Sequence, residues 1–268
     1  DCKLADVDLE IVEDVDVEAE RAKSKSCPFW PDKDYFFAQF NFKDLPESDA
    51  ERIKSLLWDF KHCFYNEQFP QQFAAGLKMR PVKIDRLPDS QPKRKKLRRV
   101  SDKKLAYLKS HINKLLSENV IKELQDTTKG HASPCHVVIE QRYIASKNAM
   151  VEKSRLTIDL REINKILPSA SWPLPHMDDF RQKCAEKGFK IFSNFDCSTF
   201  YHQIMVDPQC AAENFNFHAL GRVYTLLRLA MGCKNSPAIA QATNDKIFRS
   251  HAHCDPFLDD LTVYSRTM

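Results

Sequence analysis

Two adjacent aspartates, Asp259 and Asp260, lie between apolar residues whose pattern is typical of a β-hairpin. Two like charges side by side are costly when partly buried, because they repel each other and lose hydration. A bound divalent cation offsets both costs. With a third carboxylate, Asp196 at the end of another predicted strand, the set could hold two Mg²⁺ ions through oxygen ligands. The alternative is an ordinary polar turn, which is the commoner use of the Asp-Asp dipeptide.

Periodicity predicts the elements that would position these carboxylates. Alternating or continuous apolar residues predict strands over residues 135–140, 155–160, 190–195, 201–206 and 222–229, and a hairpin over 257–264. Apolar stripes and capping residues predict helices over residues 46–64, 101–121, 173–183 and 237–249. The stripe of the first helix includes Leu56, and the stripe of the second includes Leu116.

The composition of the chain indicates a globular protein with a hydrophobic core and excludes several other classes. The 268 residues are 43% hydrophobic, enough for one large domain or two moderate ones, and no segment has the roughly 20 apolar residues of a membrane span. Nine scattered cysteines without a Cys-x-x-Cys pair indicate reduced thiols, and the spacing of His251, His253 and Cys254 does not match a zinc motif. No glycine-rich phosphate loop is present. The first residue is Asp1, which suggests a piece of a longer protein, and no signal peptide precedes the body, so we expect an intracellular, cytoplasmic protein.

Charge is unevenly distributed along the chain. Residues 1–20 carry nine acids and one base, whereas residues 93–99 read Lys-Arg-Lys-Lys-Leu-Arg-Arg. We interpret residues 1–30 as an acidic flexible linker and the basic cluster as part of a surface for a polyanion. The alternative for the basic cluster is a solvated loop or a processing site.

Several motifs, taken in order along the chain, resemble those of one protein family. They are the basic run and helix of 93–123, Ala-Ser-Pro-Cys-His-Val-Val at 132–138, Arg-Leu-Thr-Ile-Asp-Leu-Arg-Glu-Ile-Asn-Lys at 155–165, Trp-Pro-Leu-Pro at 172–175, Phe-Asp-Cys-Ser-Thr-Phe-Tyr-His-Gln-Ile at 195–204, Met-Gly-Cys-Lys-Asn-Ser-Pro-Ala-Ile-Ala-Gln at 231–241 and Phe-Leu-Asp-Asp at 257–260. Over roughly residues 45–265 the chain resembles reverse transcriptases, specifically those of gypsy-type LTR retrotransposons and retroviruses.

The resemblance implies an α+β fold with the fingers and palm of a right-hand polymerase, its antiparallel palm sheet backed by helices. Residues 31–170 would form N-terminal helices and fingers, and residues 171–268 a palm truncated after the Asp-Asp hairpin, with the thumb absent. It also implies an RNA-directed DNA polymerase that adds deoxynucleotides to a primer 3′ end with two Mg²⁺ ions, for which Mn²⁺ can substitute.

Roles for individual residues follow from the same resemblance. Asp196, Asp259 and Asp260 would be catalytic and bind the metals. The nucleotide-binding residues would be Arg155 and Lys153 at the triphosphate, Tyr201 beneath the sugar, Phe200 and Met231. The template-binding residues would be Asp159, Arg161, Asn164 and Gly232. The simpler readings are an exposed strand arginine for Arg155 and a core tyrosine for Tyr201.

The sequence also departs from the family. Phe200 stands where the family usually has Gly or Ala beside the sugar, Ala230 replaces a proline, Met231 replaces Gln or Phe, and Phe257 replaces the commoner Tyr. A truncated, non-catalytic nucleic-acid-binding remnant is therefore an alternative, and a partner-binding scaffold is another. The expected partners are an RNA or DNA template with its primer, deoxynucleoside triphosphates and other Pol domains (ribonuclease H, integrase, protease), with no membrane. A virus-like particle is a further location to consider.

Overall fold

The computed structural model describes residues 16–66, 68–69, 76–96, 98–126, 128–144, 149–248 and 250–267. The helices are α1 (Val17–Lys25), α2 (Lys33–Phe37), α3 (Glu47–Asp59), α4 (Asp102–Ser117), α5 (Arg161–Ile166), α6 (Met177–Lys187), α7 (Phe200–Gln203), α8 (Pro208–Asn214) and α9 (Ser236–Phe248). The strands are β1 (Ile121–Glu123), β2 (Ala132–Ile144), β3 (Ala149–Ile158), β4 (Ile191–Asp196), β5 (Asn216–Ala219), β6 (Arg222–Leu226), β7 (Cys254–Phe257) and β8 (Asp260–Ser265). Among these helices, none is long and apolar enough to cross a bilayer.

The larger sheet has the order β1-β6-β5-β2-β3 and is antiparallel except where β2 pairs with β5. Its longest feature is the β2–β3 hairpin, in which Leu156 and Ile158 turn inward while Arg155 and Thr157 face solvent, as the alternation predicts. Helix α4 covers the inner face of β3. His111 Nε2 lies 2.9 Å from Ser154 Oγ.

The smaller sheet has the order β4-β8-β7 and is wholly antiparallel. Helix α9 packs against β7. Its inner residues are small or β-branched, so the helix can approach the sheet closely, and most of its length is buried. This sheet and helix hold the predicted Asp-Asp hairpin, and the overall α+β architecture is the predicted one.

The N-terminal segment corrects one prediction. Residues 1–15 lie outside the described residues, but the rest of the predicted flexible linker contains α1, which Asp16 caps by accepting hydrogen bonds from the amides of Glu18 and Ala19. Ser24 Oγ donates to Trp58 O at 3.0 Å and thereby ties α1 to α3. The polar composition suggested disorder, whereas a cap and a tertiary contact stabilise the helix.

An aromatic cluster fills the space between α2 and α3. Phe36 is completely buried and contacts five other rings. By contrast, Leu56 and Leu116, which were expected on buried stripes, are 52% and 36% exposed. Each lies at the margin of its helix's apolar face, where periodicity alone does not fix the rotation of the helix.

The predicted strand over residues 201–206 is wrong. Residues 200–203 form the short helix α7, because Phe200 and Ile204 are one turn apart and both are buried in the main core. Only Met205 and Val206 have isolated bridges, to Arg228 and Val82. Helix α8 and strand β5 were not predicted.

Candidate active site

Strand pairing brings the three aspartates together. Asp196 is the last residue of β4, and its register partner across the sheet is Asp260, the first residue of β8. Asp259 lies in the two-residue turn that joins β7 to β8, and its carbonyl oxygen accepts a hydrogen bond from Cys197 N at 2.7 Å. The carboxylates predicted from the sequence therefore share one end of the smaller sheet.

The electrostatics of this group favour a cation. Desolvation raises the pKa of Asp196, and the negative charges of Asp259 and Asp260 raise it further. Among the described residues, no lysine, arginine or histidine forms an ion pair with any of the three carboxylates. The donor set is all oxygen and its charge is not balanced, which is the chemistry that Mg²⁺ or Mn²⁺ requires. The oxygens of the three carboxylates do not all lie within 4.8 Å of one another, so metal binding requires the side chains to turn towards a common point.

The turn of the hairpin is anchored by the buried helix α9. Gln241 Nε2 donates to Pro256 O at 3.1 Å, and Gln241 Oε1 accepts from Leu258 N at 2.8 Å. Asn244 Nδ2 donates to Leu258 O. Leu258 has a φ of 54°, a left-handed conformation that is strained for a branched residue and needs such support. Helix α9 therefore holds the backbone that leads into Asp259.

Two further hydrogen bonds fix the position of Gln241 and of its neighbour Asp245. Gln241 Nε2 also donates to Asp245 Oδ1 at 2.8 Å, and Trp172 Nε1 donates to Asp245 Oδ2 at 2.5 Å. Sequence analysis did not single out Gln241, Asn244 or Asp245 as functional. A sequence signal for them was available. These polar residues lie on the apolar face of a helix that is otherwise rich in Ala and Ile.

The predicted nucleotide-binding residues occupy different positions. Tyr201 lies beside the carboxylates: burial raises the pKa of its hydroxyl, and the charge of Asp259 raises it further. Met231 is 59% exposed. Arg155 and Lys153 project from the exposed face of β3, and their side chains make no hydrogen bond or ion pair with any described residue. Phe200 is 4% exposed and lies within the main core, so little of its ring faces solvent.

Two of the predicted template residues meet directly. Asn164 Nδ2 donates to Gly232 O at 2.8 Å, and Asn164 Oδ1 accepts from Lys234 N at 3.0 Å. Gly232 has a φ of +84° and open space where a Cβ would lie. Asn235, which is buried, ties the same loop to Pro168 O at 3.0 Å. Asn164 thus shapes the loop that exposes Met231.

Asp159 and Arg161, the other two predicted template residues, are bound to each other. Arg161 Nε and Nη2 donate to the two oxygens of Asp159 at 2.8 and 2.7 Å, and Arg98 Nη2 donates to the same carboxylate at 2.8 Å. Hydrogen bonding from Arg161 holds the pKa of Asp159 well below its ordinary value. Asp159 therefore orients two guanidinium groups, and the arginines are the members of this group suited to contact a phosphate.

The basic cluster docks on α5. Lys93 and Lys95 lie 3.4 and 3.5 Å from Glu162, which also binds Lys165 at 2.8 Å. The Lys165 hydrogen bond, with the nearby lysines, lowers the pKa of Glu162 to about 2. Lys96 and Arg99 are exposed and make no ion pair with a described residue. Bases outnumber acids on this surface, as a polyanion-binding surface requires.

The repulsion among the three aspartates has a consequence for stability. We expect Asp196→Asn to raise the thermal midpoint of the metal-free protein by about 1–2 °C. The gain in the free energy of unfolding should be less than about 1 kcal/mol, because these carboxylates are largely solvated. Removal of one charge relieves the repulsion that raises the pKa of Asp196. Differential scanning fluorimetry in EDTA measures the shift. Asp178→Asn on α6 is the control, and a lower midpoint for Asp196→Asn would contradict the assignment.

Comparisons with known proteins agree with this geometry. Residues 145–268 match the family model described as reverse transcriptase (RNA-dependent DNA polymerase). The chain is 24% identical over 234 residues to the retrovirus-related Pol polyprotein from transposon 297 of Drosophila melanogaster, covering 87% of this chain and 21% of that protein. It is 28% identical over 223 residues to the Pol polyprotein from transposon 412 of the same organism, covering 82% and 17%.

A solved structure shows the same fold. The protease-reverse transcriptase of prototype foamy virus superposes with a TM-score of 0.69 at 19% identity, covering 97% of this chain and 30% of that one. The chain therefore shares the mixed α+β fold of that reverse transcriptase. Residues 145–268 match the reverse transcriptase family, whose members use divalent metal ions, and the chain as a whole is similar to retroelement Pol polyproteins. It spans about a fifth of the length of these curated relatives.

Proposed function

We propose that this chain catalyses RNA-directed DNA synthesis by a two-metal mechanism, as part of a longer retrotransposon Pol polyprotein of the gypsy type. The register pairing of Asp196 with Asp260, with Asp259 in the adjoining turn, supports the proposal most directly. These carboxylates would hold two Mg²⁺ ions, or Mn²⁺ in their place. The bound ions would supply activation of the primer 3′-hydroxyl and neutralisation of charge on the triphosphate.

The chain's own residues would bind and orient the substrates. Arg155, with Lys153 beside it, would reach the triphosphate from the exposed face of β3, since a guanidinium suits phosphate oxygens. Tyr201 would pack beneath the sugar and exclude a 2′-hydroxyl, and Met231 would lie next to the base. A deoxynucleoside triphosphate and a primed RNA or DNA template are the proposed substrates. A foamy virus neighbour has been solved in complex with an RNA/DNA hybrid, which supports such a template.

The template strand would lie along the surface formed by the basic cluster and α5. Arg161 and Arg98, oriented by Asp159, would contact its phosphates, and the loop of Gly232, held by Asn164, would approach its backbone. We also propose that ribonuclease H, integrase and protease domains belong to the same polyprotein and that it acts in the cytoplasm or a virus-like particle. The Pol polyprotein relatives support the first of these.

Single-nucleotide incorporation tests the proposed activity. The reaction contains the purified chain, a labelled primer on an RNA template, and Mg²⁺ or Mn²⁺. Either the complementary deoxynucleotide or its ribonucleotide is then added. We expect addition of the complementary deoxynucleotide, with a clear preference over the ribonucleotide. Template-independent addition, or no addition with either ion, would contradict the proposal.

The second candidate, a nucleic-acid-binding protein without catalysis, is favoured by the basic surface, which does not depend on the aspartates. Binding of a primed template that weakens with salt, without any incorporation, would support this candidate instead. Because Phe200 lies within the main core, the bulk of its ring is a weaker reason to prefer this candidate.

The basic surface leads to a prediction about salt. We expect the double change Lys96→Ala with Arg99→Ala to weaken template binding and to reduce the slope of log K against log salt by about 1–2, because each lost phosphate contact releases about one fewer counterion. Fluorescence anisotropy at several salt concentrations measures the slope. Lys187→Ala with Lys190→Ala removes the same charge between α6 and β4, outside the basic cluster, and should leave the slope unchanged. An unaltered slope in the first double variant would place the template elsewhere.

A further inference from the structure

A mixed group of nitrogen, sulfur and oxygen ligands lies far from the aspartates in sequence. Glu20 on α1 meets His62 and Cys63, which belong to the single 3₁₀ turn (Lys61–Cys63) after α3. His62 Nε2 lies 2.7 Å from Glu20 Oε2 and 3.4 Å from Cys63 Sγ. Within the described ranges, this is the one set of three His, Cys, Asp or Glu side chains whose ligand atoms all lie within 4.8 Å of one another.

We propose that Glu20, His62 and Cys63 bind a divalent transition-metal ion of the zinc class through one carboxylate oxygen, one imidazole nitrogen and one thiolate. Imidazole and thiolate ligands select zinc over Mg²⁺ or Ca²⁺, and water takes the fourth position. This metal is distinct from those of the aspartates in its ligands and in its position in the chain.

Two of the three distances between the ligand atoms fit such an ion with a small adjustment, and the third, between Glu20 and Cys63, is within 4.8 Å. Zinc bonds of about 2.0–2.3 Å in a tetrahedron place neighbouring ligand atoms about 3.3–3.6 Å apart. The 3.4 Å between His62 Nε2 and Cys63 Sγ already matches, and the 2.7 Å between Glu20 and His62 must open by about half an ångström. His62 and Cys63 are adjacent residues, so the turn fixes their separation.

Neighbouring groups orient the proposed ligands and shift their pKa values. Lys23 donates to Glu20 Oε1 and leaves Oε2 facing His62, and this hydrogen bond lowers the pKa of Glu20 and keeps it ionised. Cys63 is exposed as a residue, yet desolvation of its sulfur, with the charge of Glu20, raises the pKa of the thiol. Metal binding must therefore release the thiol proton, so we expect affinity to increase with pH.

The ion would join the N-terminal helix to the domain body. Helix α1 has nine residues, too few to be stable alone in water. It contacts the end of α3 through the Arg21–Asp59 ion pair at 3.2 Å and the Ser24–Trp58 hydrogen bond at 3.0 Å. A metal between Glu20 and the following turn adds a link at the same junction. The role is structural, and no reaction is implied.

Cobalt substitution tests the site, because a Co²⁺–thiolate bond gives a charge-transfer band in the near ultraviolet that oxygen ligands do not give. We expect the whole chain to bind one Co²⁺ with this band and Zn²⁺ to displace it. Cys63→Ser should abolish the band, and His62→Ala should weaken Zn²⁺ binding by about 100-fold or more in competition with a chromogenic chelator. Zn²⁺ should also slow proteolysis within residues 16–26 of the wild type but not of Cys63→Ser.

Two controls make the result specific. Cys184→Ser removes a buried thiol from α6, and His253→Ala disrupts the other His/Cys cluster of the sequence; both should retain the band and the affinity. Glu20→Gln, which keeps the shape of the side chain, should weaken binding while leaving the circular dichroism spectrum unchanged. The proposal is overturned if Cys63→Ser keeps the thiolate band, if His253→Ala removes it, or if the wild type shows none.

Discussion

Asp260→Asn should reduce metal-dependent primer extension at least about a thousandfold, since bound metal ions supply several kcal/mol of transition-state stabilisation and each 1.4 kcal/mol is a factor of ten. Asp260 is the register partner of Asp196, so the change removes one of the two carboxylates that face each other across β4 and β8. Asparagine keeps the shape of the side chain but carries no charge. Single-turnover extension at saturating Mg²⁺ measures the loss.

Asp178→Asn is the matched control for this variant. It makes the same chemical change on an exposed part of α6, where the ion-pair partners of Asp178 among the described residues are Arg181 and His176. Its rate should stay within about twofold of the wild type, because surface changes of this kind seldom exceed 0.5 kcal/mol. If Asp260→Asn retained a tenth of the activity, Asp260 would not be a metal ligand.

Gln241→Met should destabilise the fold by about 2–4 kcal/mol, because it leaves buried backbone groups without hydrogen-bond partners. Methionine has nearly the same length, so little packing volume is lost. The groups left unpaired are the amide of Leu258, in the hairpin turn, and the carbonyl of Pro256, in the strand that precedes it. Urea denaturation measures the loss of stability.

The same change should also lower the extension rate by about 100-fold at a temperature where the variant is folded, since a displacement of about 1 Å in a catalytic group has an effect of that size. Thr243→Val tests whether any substitution in α9 lowers the extension rate. Thr243 is equally buried, but its hydroxyl donates to Ile239 O within the helix and makes no hydrogen bond with a described residue of the hairpin. A folded Gln241→Met with wild-type activity would mean that α9 does not position Asp259.

The sequence predicted those parts of the site that depend on local pattern. The strands next to Asp196 and Asp260 have clear alternation, and a two-residue turn between apolar strands follows from the hairpin signal. The structure places the three carboxylates together as expected. The bonds from Gln241 and Asn244 to the turn could not be predicted, because they join residues whose approach is decided by packing of α9 on β7.

Other features depended on tertiary contacts in the same way. The spacing of residues 201–206 fits a strand, but burial of Phe200 and Ile204 one turn apart favours the helix α7. Asp159 was expected near the template, yet its carboxylate is bound by Arg98, which is 61 residues away. The approach of Glu20 to His62 joins residues 42 apart and has no metal-motif spacing to indicate it.

The central claim is that Asp196, Asp259 and Asp260 form one metal-dependent catalytic centre. Extension of a primed RNA template by the purified chain, compared with Asp259→Asn under Mg²⁺ and under Mn²⁺, tests it most directly. We predict extension by the wild type that EDTA abolishes and that Asp259→Asn lacks with either ion, while both proteins bind the template equally. Extension by Asp259→Asn at the wild-type rate would contradict the claim.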